Sequence, residues 1–189
     1  MKKFIDFAAA CALLCAASSA SAITYVANRA VGAGFVNLSI TTDNTLGVLT
    51  ASNIIDWSVL LADGSANPAA LLQGPGGANN SSWTVQGNNL TATATDLYFD
   101  FSASAGNIAY VYGSGTSFYC FQTSGCHGGF GAGEIVRVVN TTYQPVSGNQ
   151  IIASAAGGAV PEPGAWALML AGFGLAGSAL RARRRTLAA

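Results

Sequence analysis

Charge is scarce in this chain. Lys, Arg, Asp and Glu make up 8% of its 189 residues, and histidine occurs once. Between residues 23 and 160 there is no lysine, and two arginines, Arg29 and Arg137, face six acidic residues, which gives a net charge of −4. A nucleic-acid-binding surface needs clustered positive charge. We therefore expect no nucleic acid among the partners of this protein.

Catalytic motifs are absent as well. The sequence has no G-x-S-x-G elbow, no zinc triad and no phosphate loop, because the glycine run 125–133 follows no β–α unit. Asp96 and Asp100 would lie about 13 Å apart on one strand, too far for a glycosidase pair, although acids from different strands could meet. Asp43 and Asp63 could offer oxygen ligands to Ca²⁺ or simply form turns. We expect no cofactor and no catalysis, with a secreted hydrolase as the weaker alternative.

Helical periodicity is nearly missing too, since only residues 66–72 could hold a turn or two. Polar and apolar residues instead alternate with the period of a β-strand. The clearest predicted strands are 24–28, 35–41, 54–61, 97–101, 108–112 and 134–140. Gly87-Asn88 predicts a hairpin turn between two further strands, 83–85 and 90–92. About nine to eleven short strands predict one all-β domain over residues 23–152, a β-sandwich or jelly-roll.

The first 22 residues have the pattern of a signal peptide. Two lysines precede an apolar run of 11 residues, Phe7 to Ala17, and small residues follow it. The segment Ala20-Ser21-Ala22 fits the A-x-A site of signal peptidase, so cleavage would leave Ile23 as the first residue. The sequence thus predicts export, with signal peptidase as a processing partner.

Cys11 and Cys15 in the apolar run raise the alternative of a lipoprotein. The residue before a lipidated cysteine is normally small, and Leu14 is not. Cys11 comes too early to leave a full apolar core. We expect both cysteines to leave with the signal peptide.

Cys120 and Cys126 are the two cysteines of the mature chain. Export places them in an oxidising compartment, and the loop between them, which contains Gly125, is long enough for a bridge. We predict a disulfide. The alternative is a metal site that adds His127, but three ligands crowd this segment and no fourth is evident. His127 is otherwise expected to be an exposed loop residue, and we predict no metal.

The tryptophans and tyrosines of the predicted strands offer a possible sugar-binding surface. Trp57 and Trp83 are expected in the core. If either were exposed on a sheet face with Tyr110 or Tyr112, the rings could stack on a sugar. A carbohydrate-binding module would present such aromatics in a line on one face.

The C-terminal end has an uncharged run, 164–180, after a flexible small-residue linker, 153–160. As a helix the run would span about 25 Å, slightly less than a hydrocarbon core of about 30 Å, and snorkelling arginines can cover the difference. Arginines stay in the cytoplasm, so the rest of the chain would lie outside the inner membrane. The signal peptide requires the same orientation. These arginines are Arg181, Arg183, Arg184 and Arg185.

Directly before this run lies Pro161-Glu162-Pro163, which the two prolines hold extended. Trp166-Ala167, then Gly172-Phe173-Gly174 and Gly177, and then the arginine cluster follow in order. The whole string, residues 161–185, resembles the PEP-CTERM sorting signal of Gram-negative bacteria. The last residues, 186–189, form a short tail.

The resemblance implies recognition by an exosortase, a membrane-embedded cysteine transpeptidase-like enzyme. It also implies cleavage near the tripeptide and delivery to the cell surface or medium, often alongside exopolysaccharide. We therefore expect a transient inner-membrane anchor with a cytoplasmic C-terminus. The mature product is expected to be a non-catalytic surface or matrix protein, with a carbohydrate-binding module as the alternative.

Overall fold

The computed structural model describes residues 22–65, 69–102, 106–113, 115–126, 128–157 and 172–174. The chain divides into two units, 1–156 and 157–189. The first contains a 3₁₀ turn at Ala51–Asn53 and strands, which confirms the all-β prediction. The strands are β1 (Ile23–Val31), β2 (Gly34–Thr42), β3 (Gly47–Val48), β4 (Ile54–Ala62), β5 (Ala70–Gln73), β6 (Ser81–Gln86), β7 (Leu90–Ala92), β8 (Asp96–Asp100), β9 (Ile108–Gly113), β10 (Phe118–Gln122), β11 (Gly133–Arg137), β12 (Thr141–Pro145) and β13 (Asn149–Ala155).

These strands form two antiparallel sheets. The eight-stranded sheet has the order β3-β7-β8-β13-β1-β2-β4-β5, and the five-stranded sheet has the order β12-β11-β10-β9-β6. The β1–β2 hairpin closes through Gly32 and Ala33, with Val31 paired to Gly34. Gly32 has φ +58°. A positive φ at the first turn position is typical of a type II′ turn, which matches the twist of the flanking strands.

Both sheets contribute side chains to one hydrophobic core. Alternation of buried and exposed residues along β2 and β8 directs their apolar side chains to this core. From the five-stranded sheet, Val111, Tyr119, Phe121 and Val136 join it. The rings of Phe99 on β8 and Phe121 on β10 stack with centroids 5.8 Å apart. Burial of each such side chain stabilises the fold by about 1.5–3 kcal/mol.

A turn-to-turn contact links the two sheets. The Asp63 carboxylate, just after β4, accepts hydrogen bonds from the backbone N–H groups of Val139 (2.9 Å) and Asn140 (2.7 Å), between β11 and β12. The N–H of Ser65 donates to the same carboxylate at 3.0 Å. The pair Asp63-Gly64 is therefore a turn whose carboxylate serves as an acceptor for neighbouring amides.

The predicted hairpin at Gly87-Asn88 is wrong. The flanking strands form, but β6 pairs with β9 in the five-stranded sheet and β7 pairs with β3 and β8 in the other. The turn is a crossover between sheets. Its physical reason lies in β7, where Leu90 and Ala92 are buried in the common core and draw the strand away from β6.

Two further segments differ from expectation. Residues 70–72, where the sequence allowed a helical turn, lie in β5. β13 runs to Ala155 and buries Ile152 and Ala153, so it takes in the first three residues assigned to the linker. The core requires these side chains, because β13 lies between β1 and β8 in the middle of the larger sheet.

In the second unit, residues 172–174 are helical. Within the described part of the chain, no helix is long and apolar enough to cross a membrane. The predicted spanning segment 164–180 lies mostly outside the described residues, as do the motif residues 161–163, Trp166, Ala167, Gly177 and the arginine cluster. The predicted signal peptide, 1–22, also lies outside them except for Ala22.

Candidate functional site

The outer face of the five-stranded sheet carries a second cluster of hydrophobic and aromatic side chains. Along β9, Ala109 and Val111 are fully buried in the core, so the alternation directs Ile108, Tyr110 and Tyr112 to the opposite face. The buried members of this outer cluster are Phe118, Cys120 and Ile135, with Ile108, Tyr110, Cys126, Phe130 and Tyr143 packed against them. We call this surface the outer aromatic face.

Tyr110 and Tyr112 on β9 stack on each other on this side of the sheet. Their ring centroids are 5.1 Å apart and their planes differ by 17°. Phe118 on β10 packs against Tyr110 at 5.4 Å with a tilt of 57°. Tyr110 is half-buried, whereas Tyr112 is 42% exposed. One ring of the pair is therefore supported by its neighbours and the other is open to a ligand.

A shallow depression of about 470 Å³ lies beside Tyr112. Asn79, Asn80, Ser81, Ser82 and Gly113 line it together with the Tyr112 ring. The exposed residues Asn79 and Ser82 offer amide and hydroxyl groups. An aromatic ring next to amides and hydroxyls is a chemistry suited to a sugar, which presents an apolar ring face and a hydroxyl edge.

Two of the lining residues are already engaged within the protein. Asn80 Oδ1 accepts a hydrogen bond from the N–H of Gln73 at 2.8 Å, and its Nδ2 donates to the carbonyl of Leu71 at 3.0 Å. Ser81 Oγ accepts from Trp57 Nε1 at 2.8 Å and donates to the carbonyl of Gln73 at 2.9 Å. These bonds fix the wall of the depression, so that Asn79 and Ser82 are the better candidates for ligand contacts.

Arg137 reaches the same face from β11. The register places Phe118 directly between Tyr112 on one side and Arg137 on the other. Arg137 Nε is buried and has no hydrogen-bond partner among the described residues. Burial raises the pKa of Tyr110 and Tyr112 raises it further, whereas the positive charge of Arg137 opposes this rise. The guanidinium therefore acts electrostatically on Tyr110.

The two tryptophans lie apart from the tyrosine pair. Trp83 is 8% exposed and packs in the common core from the inner face of β6, and Trp57 is half-buried against the same core. The structure thus brings together Tyr110 and Tyr112 and leaves Trp57 and Trp83 out. The sequence did not indicate Phe118, Arg137 or Asn79 as site residues. The period-two alternation of β10 and β11 could have placed Phe118 and Arg137 on one face, but no sequence pattern indicates Asn79.

The predicted disulfide between Cys120 and Cys126 is present, with Cα atoms 6.5 Å apart. It borders the outer aromatic face, where Cys120 is fully buried. The Gln122 side chain supports the same loop: Nε2 donates to the carbonyl of Gly131 at 2.8 Å, and Oε1 accepts from the N–H of Cys126 at 2.9 Å. His127 lies outside the described residues.

The carboxylates do not converge on a site in the part of the chain that the structure describes. No group of three or more His, Cys, Asp or Glu residues that could hold a metal ion occurs there. Hydrogen bonds from the Thr45 side chain, from Asn53 Nδ2 and from the N–H of Thr45 lower the pKa of Asp43. Asp96 accepts from the Ser154 hydroxyl, which also lowers its pKa, and Asp100 does the same with Ser102. Each of these three acids accepts hydrogen bonds within the protein.

Comparison with known protein families gives one match. Residues 159–185 match the family model of the PEP-CTERM protein-sorting motif. This match confirms the resemblance seen in the sequence, and it covers the C-terminal tail and not the β domain. No curated protein and no solved structure matches the chain. The role of the β domain must therefore be inferred from its own geometry.

Proposed function

The chain carries a PEP-CTERM protein-sorting motif at residues 159–185, and from this premise we propose that exosortase processes it on its way to the cell surface or extracellular matrix. Signal peptidase removes residues 1–22. The run 164–180 then holds the chain in the inner membrane with the arginine cluster in the cytoplasm. Exosortase cuts near Pro161-Glu162-Pro163 and releases the β domain outside.

The β domain in this proposal is a non-catalytic β-sandwich within the exopolysaccharide layer. The shared core of the two sheets supports the sandwich. The scarcity of charge, and the hydrogen bonds that engage the acids of the β domain within the protein, favour a structural or adhesive role over a hydrolase. The single observation that carries the proposal is the sorting motif.

Mass spectrometry of the protein's two termini, after separation of membranes, cell surface and medium, tests this processing. We expect a chain that begins at Ile23 and ends near Pro161-Glu162-Pro163 in the surface or medium fraction. Glu162→Ala should leave the tail attached and hold the protein in the membrane fraction, whereas Leu187→Gln, beyond the motif, should not. A wild-type chain that keeps residues 181–189 in the inner membrane would contradict the proposal.

A second function, carbohydrate binding, is favoured by the Tyr110–Tyr112 pair and the depression beside it. A pyranose ring would stack on the exposed Tyr112 ring, and its hydroxyls would contact Asn79 and Ser82. Stacking of a sugar on a tyrosine uses the large apolar area of the aromatic ring, and the side chain loses little conformational entropy. This activity would let the domain adhere to the polysaccharide layer after its release.

Affinity electrophoresis of the mature protein through gels that contain immobilised polysaccharides tests this second function. We expect retardation by at least one polysaccharide, and Tyr112→Ala should remove it. Tyr98→Ala is the matched control, because Tyr98 is a half-buried tyrosine of β8 in the other sheet. Equal retardation of both variants would rule out the outer aromatic face as the binding surface.

A further inference from the structure

The sugar chemistry of the outer aromatic face can be inferred more closely from its one charged residue. We propose that this face binds an acidic glycan, with the Arg137 guanidinium pairing with the carboxylate of a uronic-type sugar whose ring lies against Tyr112. This inference rests on the proposed carbohydrate-binding function and adds the class of ligand.

Arg137 differs from the other arginine of the β domain in its partners. Arg29 forms a salt bridge with Glu134. Arg137 has no salt bridge within the described residues, and its Nε has no hydrogen-bond partner there. A buried donor without a partner is unfavourable in a folded protein, so such a group is a good candidate for a ligand contact. The position of Arg137 next to an aromatic pair suits that role.

The surroundings of Arg137 favour an anion. The strand positions that share its face hold hydroxyl, amide, aliphatic and aromatic residues, and no carboxylate. These outward positions are Ser82, Thr84 and Gln86 on β6, Ile108, Tyr110 and Tyr112 on β9, Phe118, Cys120 and Gln122 on β10, and Thr141, Tyr143 and Pro145 on β12. The net charge of −4 over residues 23–160 therefore arises elsewhere.

Two acids that lie near Arg137 are engaged by other groups of the protein. Glu134, the neighbour of Arg137 on β11, points to the inner face and pairs with Arg29. Asp63 contacts the turn that follows β11, where its carboxylate accepts hydrogen bonds from the backbone N–H groups of Val139 and Asn140. Arg137 is thus the charged residue among the outward strand positions of this face.

The spacing also fits a single sugar. Tyr112 and Arg137 occupy the same row of the sheet on strands β9 and β11, with β10 between them. Neighbouring strands lie about 4.8 Å apart, so the two backbones are separated by about 10 Å. A sugar ring over Tyr112 would direct a ring carboxylate toward the long Arg137 side chain. Guanidinium forms paired parallel hydrogen bonds with a planar carboxylate, which an ammonium cannot do.

Polygalacturonate and its fully methyl-esterified form provide the test, because they share a backbone and differ in the carboxylate charge. Isothermal titration of the mature protein at low salt should give about tenfold tighter binding to polygalacturonate, as expected for a charge-assisted hydrogen bond. The preference should decline as salt rises. Arg137→Gln should make the two affinities equal.

Arg137→Lys separates the guanidinium geometry from the charge and also guards against a folding defect in Arg137→Gln. It should keep only part of the preference for the acid. Tyr112→Ala should lose both ligands, and Tyr98→Ala should lose neither. Equal wild-type affinity for acid and ester, or a preference that survives Arg137→Gln, would overturn the acidic-glycan inference while carbohydrate binding stands. If the wild-type protein binds neither polymer and is retarded by no polysaccharide in the gels, both the acidic-glycan inference and the carbohydrate-binding proposal are overturned.

Discussion

Arg29 on β1 and Glu134 on β11 form the one salt bridge within the described part of the chain, and it joins the two sheets. Arg29 Nε donates to Glu134 Oε2 at 2.9 Å, and the Tyr119 hydroxyl donates to the same oxygen at 2.6 Å. Burial opposes the charge on Arg29, but the bonds to Glu134 outweigh it and raise the pKa of Arg29. Burial also raises the pKa of Tyr119. These bonds link the two sheets through three side chains.

We expect Arg29→Met to destabilise the mature protein by about 3–5 kcal/mol, because it leaves the Glu134 carboxylate, only 2% exposed, without its counter-ion. The double variant Arg29→Met with Glu134→Gln should recover much of this loss, since the amide oxygen still accepts from Tyr119 and no buried charge remains. Urea unfolding followed by circular dichroism measures both. A double variant less stable than Arg29→Met would contradict this assignment.

The β1–β2 turn should be sensitive to any side chain at Gly32. A Cβ there would lie 2.3 Å from Thr142 Oγ1. That hydroxyl accepts from the N–H of Ala33 at 3.2 Å and donates to the carbonyl of Val31 at 3.1 Å. Gly32→Ala must displace it and lose both bonds, in addition to the strain of φ +58°. We expect a loss of about 2–3 kcal/mol in the free energy of unfolding.

Gly47→Ala is the matched control for this turn. Gly47 has φ +89°, and a Cβ there would have no atom within 4 Å. Its substitution should cost about 1 kcal/mol from backbone strain alone. Chemical denaturation of the two variants side by side separates the steric term from the strain. Equal losses would show that the Thr142 contact is unimportant.

The Cys120–Cys126 bridge should add modest stability. It closes a short loop, with a sequence separation of 6, so the entropy model gives about 2 kcal/mol. We expect a reductant to lower the unfolding free energy by this amount in the wild-type protein. The variant Cys120→Ala with Cys126→Ala should start at the lower value and should not respond to reductant. A reductant effect in that variant would place the sensitivity elsewhere.

The sequence predicted these local features better than the contacts between distant segments. Alternation along β9 and the short spacing of Cys120 and Cys126 are visible in the residues themselves. The pairing of Arg29 with Glu134 joins positions 105 residues apart, and no local pattern indicates it. The Gly87-Asn88 turn has hairpin chemistry, yet its two strands enter different sheets because Leu90 packs in the common core.

The candidate site also rests on contacts between distant segments, which local sequence patterns do not indicate. The outer aromatic face depends on the register of β9, β10 and β11, which places Phe118 between Tyr112 and Arg137. The sequence indicated Trp57 and Trp83 as core residues and offered them for sugar stacking only if a sheet face exposed them. Their place in or against the core follows from which face of β4 and β6 turns inward, and that face is decided by tertiary packing.

Asp63 should make the stability of the protein depend on acidity. Hydrogen bonds from Ser65, Val139 and Asn140 lower the pKa of its carboxyl, with Ser65 as the largest cause. A lowered folded pKa stabilises the protein fully above the unfolded value of about 3.9 and loses this effect as pH falls toward the folded value. We expect a constant urea midpoint from pH 7 to 5 and a decline below pH 4.

Asp63→Asn tests this assignment. Its stability at pH 7 should be lower than that of the wild type, and the decline in acid should be smaller. Asp96→Asn is a useful comparison, because Asp96 accepts from the Ser154 and Thr95 hydroxyls at an exposed site and should contribute less. Urea midpoints at four or five pH values measure all three proteins. If the urea midpoint of Asp63→Asn falls in acid as steeply as that of the wild type, the Asp63 carboxylate does not cause the pH dependence.

The arginine cluster should decide whether the tail is presented to exosortase. Arg181, Arg183, Arg184 and Arg185 lie within the matched motif or at its end. In the proposed topology, positive charge would keep this end of the tail in the cytoplasm. We expect replacement of all four by glutamine to let the tail pass through the membrane, so that the protein accumulates outside with the tail uncut. Glutamine at Leu187 alone should leave processing normal. Pulse–chase labelling with mass spectrometry of the C-terminus measures cleavage in both variants. Normal cleavage in the four-glutamine variant would show that exosortase recognises the tripeptide and the apolar run without the positive charges.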